Sequence, residues 1–71
     1  MSLINTAKLA ELRIQNGLSM QELSERVGIS QPMIALFEKG KRTPSLEVTV
    51  NMAEVLGVTV DELLTQPSGE D

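Results

Sequence analysis

The chain has 71 residues and contains neither cysteine nor histidine. Its length suits one small domain, which we expect over residues 1–66, with residues 67–71 as a flexible acidic tail. The missing residue types exclude a disulfide framework and remove the commonest metal ligand and general base, so we expect no metal, no cofactor, no catalytic residue and no enzymatic activity. No apolar run approaches the roughly 20 residues of a membrane span, and we expect a cytoplasmic protein without membrane contact.

The net charge of −4 is divided unevenly along the chain. Residues 1–42 hold all six basic residues and four acidic ones, whereas residues 43–71 hold six acidic residues and no basic one. The first part therefore has a net charge of +2 and the second part a net charge of −6. A basic footprint is usual in nucleic-acid binders, so the position of the charges is more informative here than their sum.

The first predicted helix runs over residues 4–16 and ends before Gly17, because glycine readily adopts the left-handed conformation that follows a helix. Its inner side is predicted to consist of apolar residues: Ile4, Ala7, Leu9 and Leu12. Leu18 then enters the core before the second helix begins.

Two short helices joined by a tight turn at residues 28–30 are predicted between Met20 and Glu38. Ser19 and Glu22 have the spacing of a capping box at the start of the first of these helices. Ser30 is the predicted N-cap of the next helix, where a proline in the first turn is harmless. Gly28 supplies the bend, and the inward apolar residues are Leu23, Val27, Ile29, Ile34 and Phe37.

The fourth segment, from Leu46, alternates like a strand at first, but its longer pattern favours a helix. Ser45 can cap its start and Gly57 its end. Its predicted inner face consists of Leu46, Val50, Ala53 and Leu56. A fifth helix is predicted to begin with a capping box from Thr59 to Glu62 and to continue through Leu64.

The pair of helices over Met20–Glu38 resembles the helix-turn-helix of the phage-repressor, Cro and Xre group of bacterial regulators. The matching residues are Leu23, Ser24, Val27, Gly28, Ile34, Phe37, Glu38 and Gly40, and the similarity extends over residues 7–65. The resemblance implies an all-α, five-helix, lambda-repressor-like domain that binds double-stranded DNA and regulates transcription, most often as a repressor.

In such domains the outer face of the third helix enters the major groove. The residues expected on that face here are Gln31, Pro32, Ala35 and Leu36. The Gln31 amide can bond to adenine. Pro32, Met33 and Leu36 can touch a thymine methyl group but form no hydrogen-bonded code. These three apolar residues could instead mark a protein partner, and Met33 could also pack against the core.

The resemblance further implies contacts to the DNA phosphates. The residues expected to make them are Met20, Gln21, Lys39, Lys41 and Arg42, with Lys8 as a weaker candidate. The alternative is that the three basic residues after the third helix only form a solvated loop, because positive charges are favourable at a helix C-terminus.

Relatives often pair an arginine in the first helix with a glutamate at the end of the third. Arg13 and Glu38 occupy those positions, and we expect a partly buried, structural ion pair between them. The alternative is two exposed charges.

We expect a homodimer on a pseudo-palindromic operator, because one copy offers a small interface. The dimer surface implied by the resemblance lies near the fifth helix, at Val58, Val60, Leu63 and Leu64. A second hypothesis is a protein-interaction module or an antitoxin that uses the same scaffold to bind a protein partner.

Overall fold

The structure, a computed structural model, describes residues 4–64 and contains five α-helices within that range. They are α1 Thr6–Gln15, α2 Met20–Val27, α3 Gln31–Glu38, α4 Leu46–Leu56 and α5 Val60–Leu63. The all-α prediction is therefore confirmed. The predicted tail, residues 67–71, lies outside the described residues. Among the described helices none is long and apolar enough to cross a membrane.

The start of the domain is held against its last described residues. Ile4 forms an antiparallel bridge with Leu64, and the Asn5 N–H donates to the Leu63 carbonyl at 2.8 Å. The Asn5 side chain also accepts from the Lys8 N–H, so the helix begins at Thr6 and not at residue 4 as predicted. Ile4 is buried as predicted, but from an extended segment before the helix. The prediction that Ala7 faces inward is wrong, since Ala7 is exposed.

The α2–α3 pair has the predicted start signals. Ser19 and Glu22 form a complete capping box at the start of α2, and the Ser30 side chain accepts from the Met33 N–H at the start of α3. Both helices are only eight residues long, which is short for an isolated helix in water, so packing must supply most of their stability. The side chains that they bury completely or nearly so are Leu23, Ser24, Val27, Ile34 and Phe37.

The predicted inner face of α4 is partly wrong. Leu46 is 74% exposed and Val50 is 37% exposed. The buried residues are Thr49, Met52, Ala53 and Leu56. The predicted and the observed inner faces share Ala53 and Leu56, so helical spacing alone does not decide between them. Thr49 can be buried because its hydroxyl donates to the Ser45 carbonyl at 2.8 Å, which leaves no unsatisfied polar group.

α5 is a single turn of four residues. The Thr59 hydroxyl accepts from the Glu62 N–H at 3.3 Å, which is one of the two hydrogen bonds of the predicted capping box. The helix does not continue through Leu64 as predicted, because Leu64 has an extended backbone and pairs with Ile4. The core beneath these elements contains residues from all five helices and from the segments before α1 and α2: Ile4, Leu9, Leu12, Leu18, Leu23, Val27, Ile34, Phe37, Met52, Ala53, Leu56 and Leu63.

The face of α4 that packs inward can be tested by comparing Met52→Ala with Leu46→Ala. Met52 is fully buried, so its truncation should lower the free energy of unfolding by about 2–5 kcal/mol. Leu46→Ala should change it by no more than about 0.5 kcal/mol, because the leucine is mostly exposed. Urea unfolding at low micromolar concentration, where contacts between copies contribute little, measures both. A larger loss from Leu46→Ala would contradict the observed face.

Candidate nucleic-acid interface

α3 has one buried face and one free face. Ile34 and Phe37 are buried. Met33 packs against the core, which is one of the two alternatives predicted for it. On the other side Gln31 and Pro32 are exposed, while Ala35 and Leu36 are partly exposed. All four predicted base-contacting residues therefore have solvent-accessible surface on one short helix.

The turn between α2 and α3 sets the angle between these two helices. Gly28 has a φ of +89°, a conformation that residues with a Cβ rarely adopt. The N–H groups of Gly28 and Ile29 both donate to the Ser24 carbonyl, at 2.8 and 3.0 Å. Ser24 is buried, and its hydroxyl donates to the Gln21 carbonyl at 2.7 Å. A small, internally satisfied side chain thus allows the two helices to pack closely.

The predicted ion pair between Arg13 and Glu38 is present. The Arg13 Nε donates to Glu38 Oε2 at 2.7 Å and its Nη2 to Oε1 at 3.3 Å, while its Nη1 donates to the Leu18 carbonyl at 2.9 Å. The side chains of Arg13 and Glu38 are only 14% and 7% exposed. One guanidinium therefore connects α1, the segment before α2 and the end of α3.

The N-terminus of α2 combines a cap with a negative charge. The Ser19 N–H donates to Glu22 Oε1 at 2.8 Å, and Glu22 N–H donates to the Ser19 hydroxyl at 3.0 Å. The Ser19 N–H bond to the carboxylate, then the Ser19 hydroxyl and the nearby Arg26, lower the pKa of Glu22 below its ordinary value. The N–H groups of Met20 and Gln21, also in the first turn, have no intrahelical acceptor. Gln21 is exposed, whereas the side chain of Met20 is half-buried against the core.

Three exposed basic residues follow α3: Lys39, Lys41 and Arg42. Gly40, with a φ of +75°, turns the chain between them, and the Lys41 N–H donates back to the Leu36 carbonyl at 2.9 Å. A Cβ on Gly40 would lie 3.5 Å from Cγ2 of Thr6, so this loop adjoins the first turn of α1. Lys8, the weaker phosphate candidate, is half-buried in α1. The structure thus holds the basic loop at the C-terminal end of α3 and against the first turn of α1.

The predicted dimer residues near α5 do not form one exposed surface. Assigning Leu63 to that surface is wrong, because its side chain is fully buried in the core of its own domain. Val58, Val60 and Leu64 are half-buried. The sequence analysis missed an open apolar groove beside α5, to which the exposed Leu46 contributes. Its lining residues are Ile4, Thr43, Pro44, Leu46, Thr49, Val60 and Leu64.

Comparison with known proteins identifies the family. The sequence profile of the helix-turn-helix family matches residues 9–63. The chain belongs to this family. Its members of the Xre/Cro/C1 type are DNA-binding transcriptional regulators and not enzymes. In this helix-turn-helix protein the matched range includes α2, the turn, α3 and the basic loop.

Two similar regulators differ in how much of their length the chain covers. DdrOP3, an HTH-type transcriptional regulator of Deinococcus deserti, is 37% identical over 57 residues, which are 80% of this chain and 44% of DdrOP3. The uncharacterized HTH-type transcriptional regulator y4dJ of Sinorhizobium fredii is 36% identical over 59 residues, which are 83% of this chain and 77% of y4dJ. The chain therefore spans less than half of the first relative and about three quarters of the second.

A solved structure has the same fold. The crystal structure of SinR, from Bacillus subtilis, in complex with DNA matches with a TM-score of 0.80 at 26% sequence identity. The match covers 84% of this chain and 100% of that chain. The predicted lambda-repressor-like domain is confirmed.

The Arg13–Glu38 pair should contribute more to stability than a surface ion pair does. Arg13→Ala leaves the nearly buried Glu38 carboxylate without its partner and should lower the free energy of unfolding by about 3 kcal/mol. Lys41→Ala, which removes an exposed charge, should change it by less than about 0.5 kcal/mol. Urea unfolding of Arg13→Ala, of Glu38→Ala and of the double variant measures the coupling, with Lys41→Ala as the control. Strictly additive losses would show that the two side chains do not act together.

Proposed function

We propose that this helix-turn-helix protein binds double-stranded DNA sequence-specifically through α3 and acts as a transcriptional repressor. The observation that carries the proposal is the free outer face of α3 with three exposed basic residues immediately after it. The match to a fold crystallised in complex with DNA supports it. Repression follows physically, because a domain bound to an operator excludes other proteins from the same stretch of DNA.

The roles of the residues follow from their chemistry. Gln31, exposed at the first position of α3, has an amide that can donate to adenine N7 and accept from its N6 amino group. The positive side chains of Lys39, Lys41 and Arg42 suit phosphates, which position the protein without carrying sequence information. At the N-terminus of α2 the N–H groups of Met20 and Gln21 are aligned with the positive end of the helix dipole.

The division of charge supports the same orientation. Both acidic side chains of α4, Glu47 and Glu54, are exposed, and the described residues after Arg42 include no basic one. Duplex DNA would therefore be attracted to the basic loop and repelled from α4. Binding should weaken with salt, since every neutralised phosphate releases counterions.

Base and phosphate contacts can be separated by two substitutions. Gln31→Ala should change the preference at one base pair and cost about 1–3 kcal/mol on the preferred site. Lys41→Ala should weaken all duplexes alike and reduce the salt slope by about one. Selection from random duplexes, followed by salt titration of the selected site, measures both effects.

Arg26→Ala is the matched control for charge. This exposed arginine lies in the last turn of α2, at the end opposite the proposed phosphate contact, so the salt slope should stay close to that of the unmodified protein. The DNA-binding proposal would be contradicted if the selection enriched no duplex sequence and the affinity did not depend on salt concentration. Equal effects of Gln31→Ala and Lys41→Ala would end only the assignment of roles.

The proposed operator-bound form is a homodimer on a pseudo-palindrome. We place its surface at the apolar groove and not at Leu63, because Leu46 is exposed in the groove and Val60 and Leu64 are half-buried there. Thr43 and Pro44 line the same groove and follow the basic loop directly in the chain. A second copy seated there by a two-fold axis would bring both α3 helices toward one face of the DNA. A different protein partner on this groove is the alternative.

Leu46→Glu tests the dimer surface. A carboxylate in an apolar contact between copies loses hydration without a partner, so the variant should be monomeric at concentrations where the unmodified protein is dimeric. Sedimentation equilibrium measures the mass, and Ile14→Glu is the control because Ile14 is 65% exposed on α1. Equal masses for both variants would contradict this surface.

A further inference from the structure

The outer face of α3 is mainly apolar. Pro32 and Leu36 lie one turn apart on the side opposite the buried Ile34, and Ala35 lies beside them. Such a face has little capacity to bond to the donors and acceptors of base edges. Sequence recognition by this surface must therefore rest largely on a different property of the base pairs.

Among the residues of α3, the polar groups that remain for base edges are few. The carboxylate of Glu38 is occupied by Arg13, at 2.7 and 3.3 Å. The Ser30 hydroxyl, just before the helix, accepts from the Met33 N–H. Gln31 is the exposed amide of this helix, and it lies at its first position. Lys39 follows the helix and has the charge that a phosphate requires.

The major groove offers one apolar group to such a face, which is the methyl group on C5 of thymine. A methylated cytosine carries its methyl group on the same ring atom. The two bases differ at position 4, where thymine accepts a hydrogen bond and cytosine donates one. A reader that only packs against the methyl group is indifferent to that difference.

We propose that Pro32, Ala35 and Leu36 of α3 recognise pyrimidines by their C5-methyl group, so that thymine and 5-methylcytosine are bound alike. The inference rests on the proposed DNA binding and names what the same helix reads. The exposed Lys39, Lys41 and Arg42 beside the face are complementary to duplex phosphates, which favours DNA over a protein as its occupant. Leu36 packs on the methyl group, and Gln31 supplies the separate hydrogen-bonded contact to adenine.

Four duplexes test the proposal. They carry thymine, uracil, cytosine or 5-methylcytosine at one thymine position of the half-site obtained by selection, each opposite its normal partner. Methyl recognition requires that thymine and 5-methylcytosine bind with similar Kd and that uracil and cytosine bind about fourfold more weakly per methyl group lost. Hydrogen-bonded recognition at position 4 requires instead that thymine match uracil and that cytosine match 5-methylcytosine. That second pattern at every thymine position would overturn the proposal.

Three protein variants assign the effect to α3. Leu36→Ala should remove most of the difference between thymine and uracil, and Pro32→Ala should reduce it. Ile14→Ala, which truncates an exposed apolar side chain on α1, should leave it unchanged. Pro32 is exposed, so its variant keeps the test available if truncation of the half-buried Leu36 unfolds the domain.

The outcomes separate this inference from the function on which it rests. A protein that enriches no sequence from random duplexes overturns the proposed function itself. A protein that enriches a half-site but binds its uracil and thymine forms equally leaves sequence-specific DNA binding in place and overturns only methyl recognition. A half-site selected without any thymine has the same consequence.

Discussion

The orientation of α3 depends on restraints at both of its ends. The helix has eight residues, and only two of its side chains are wholly buried. At its start the left-handed Gly28 and the Ser30 cap fix where it begins relative to α2. At its end Glu38 is held by the Arg13 guanidinium. Without both restraints Ile34 and Phe37 would be the main determinants of its angle.

The Arg13 guanidinium also connects two surfaces that would have to meet DNA together. Its bond to the Leu18 carbonyl fixes the residue immediately before the Ser19 cap of α2. Its bonds to Glu38 fix the residue immediately before the basic loop. A buried charge pair contributes to stability only when its geometry is good, and here three donor nitrogens each have an acceptor. One side chain thus ties the segment before α2 to the end of α3, the two elements proposed to meet the DNA.

An acidic domain can still present a DNA-binding surface because its charges are segregated. In the proposed complex the attraction comes from a few exposed residues, chiefly Lys39, Lys41 and Arg42. Few phosphate contacts imply modest non-specific affinity. The proposed apolar reading face would add discrimination through packing, which depends less on salt than phosphate contacts do. Dimer formation through the groove beside α5 would supply the remaining affinity.

The residues near each turn determined most of the local structure by themselves. Ser19 with Glu22, Ser30, Ser45 and Thr59 cap helices as predicted, because a cap needs only a side chain and a backbone N–H a few residues apart. The exposed face of α3 followed from helical spacing in the same way. The Arg13–Glu38 pair, 25 positions apart in sequence, came from the family resemblance and not from local chemistry.

Only the tertiary structure decided which face of α4 is buried. It also decided that the first described residues of the domain pair with the last ones. Leu46, which was expected in the core, is exposed, whereas Thr49 is buried. Thr49 can be buried because its hydroxyl donates to the Ser45 carbonyl, and a hydropathy pattern does not register such a bond. Leu63 is buried in the core, and the residue after it pairs with Ile4 from the start of the domain. Contacts between residues so distant in sequence leave no periodic pattern in it, whereas a helix cap depends only on residues within four consecutive positions.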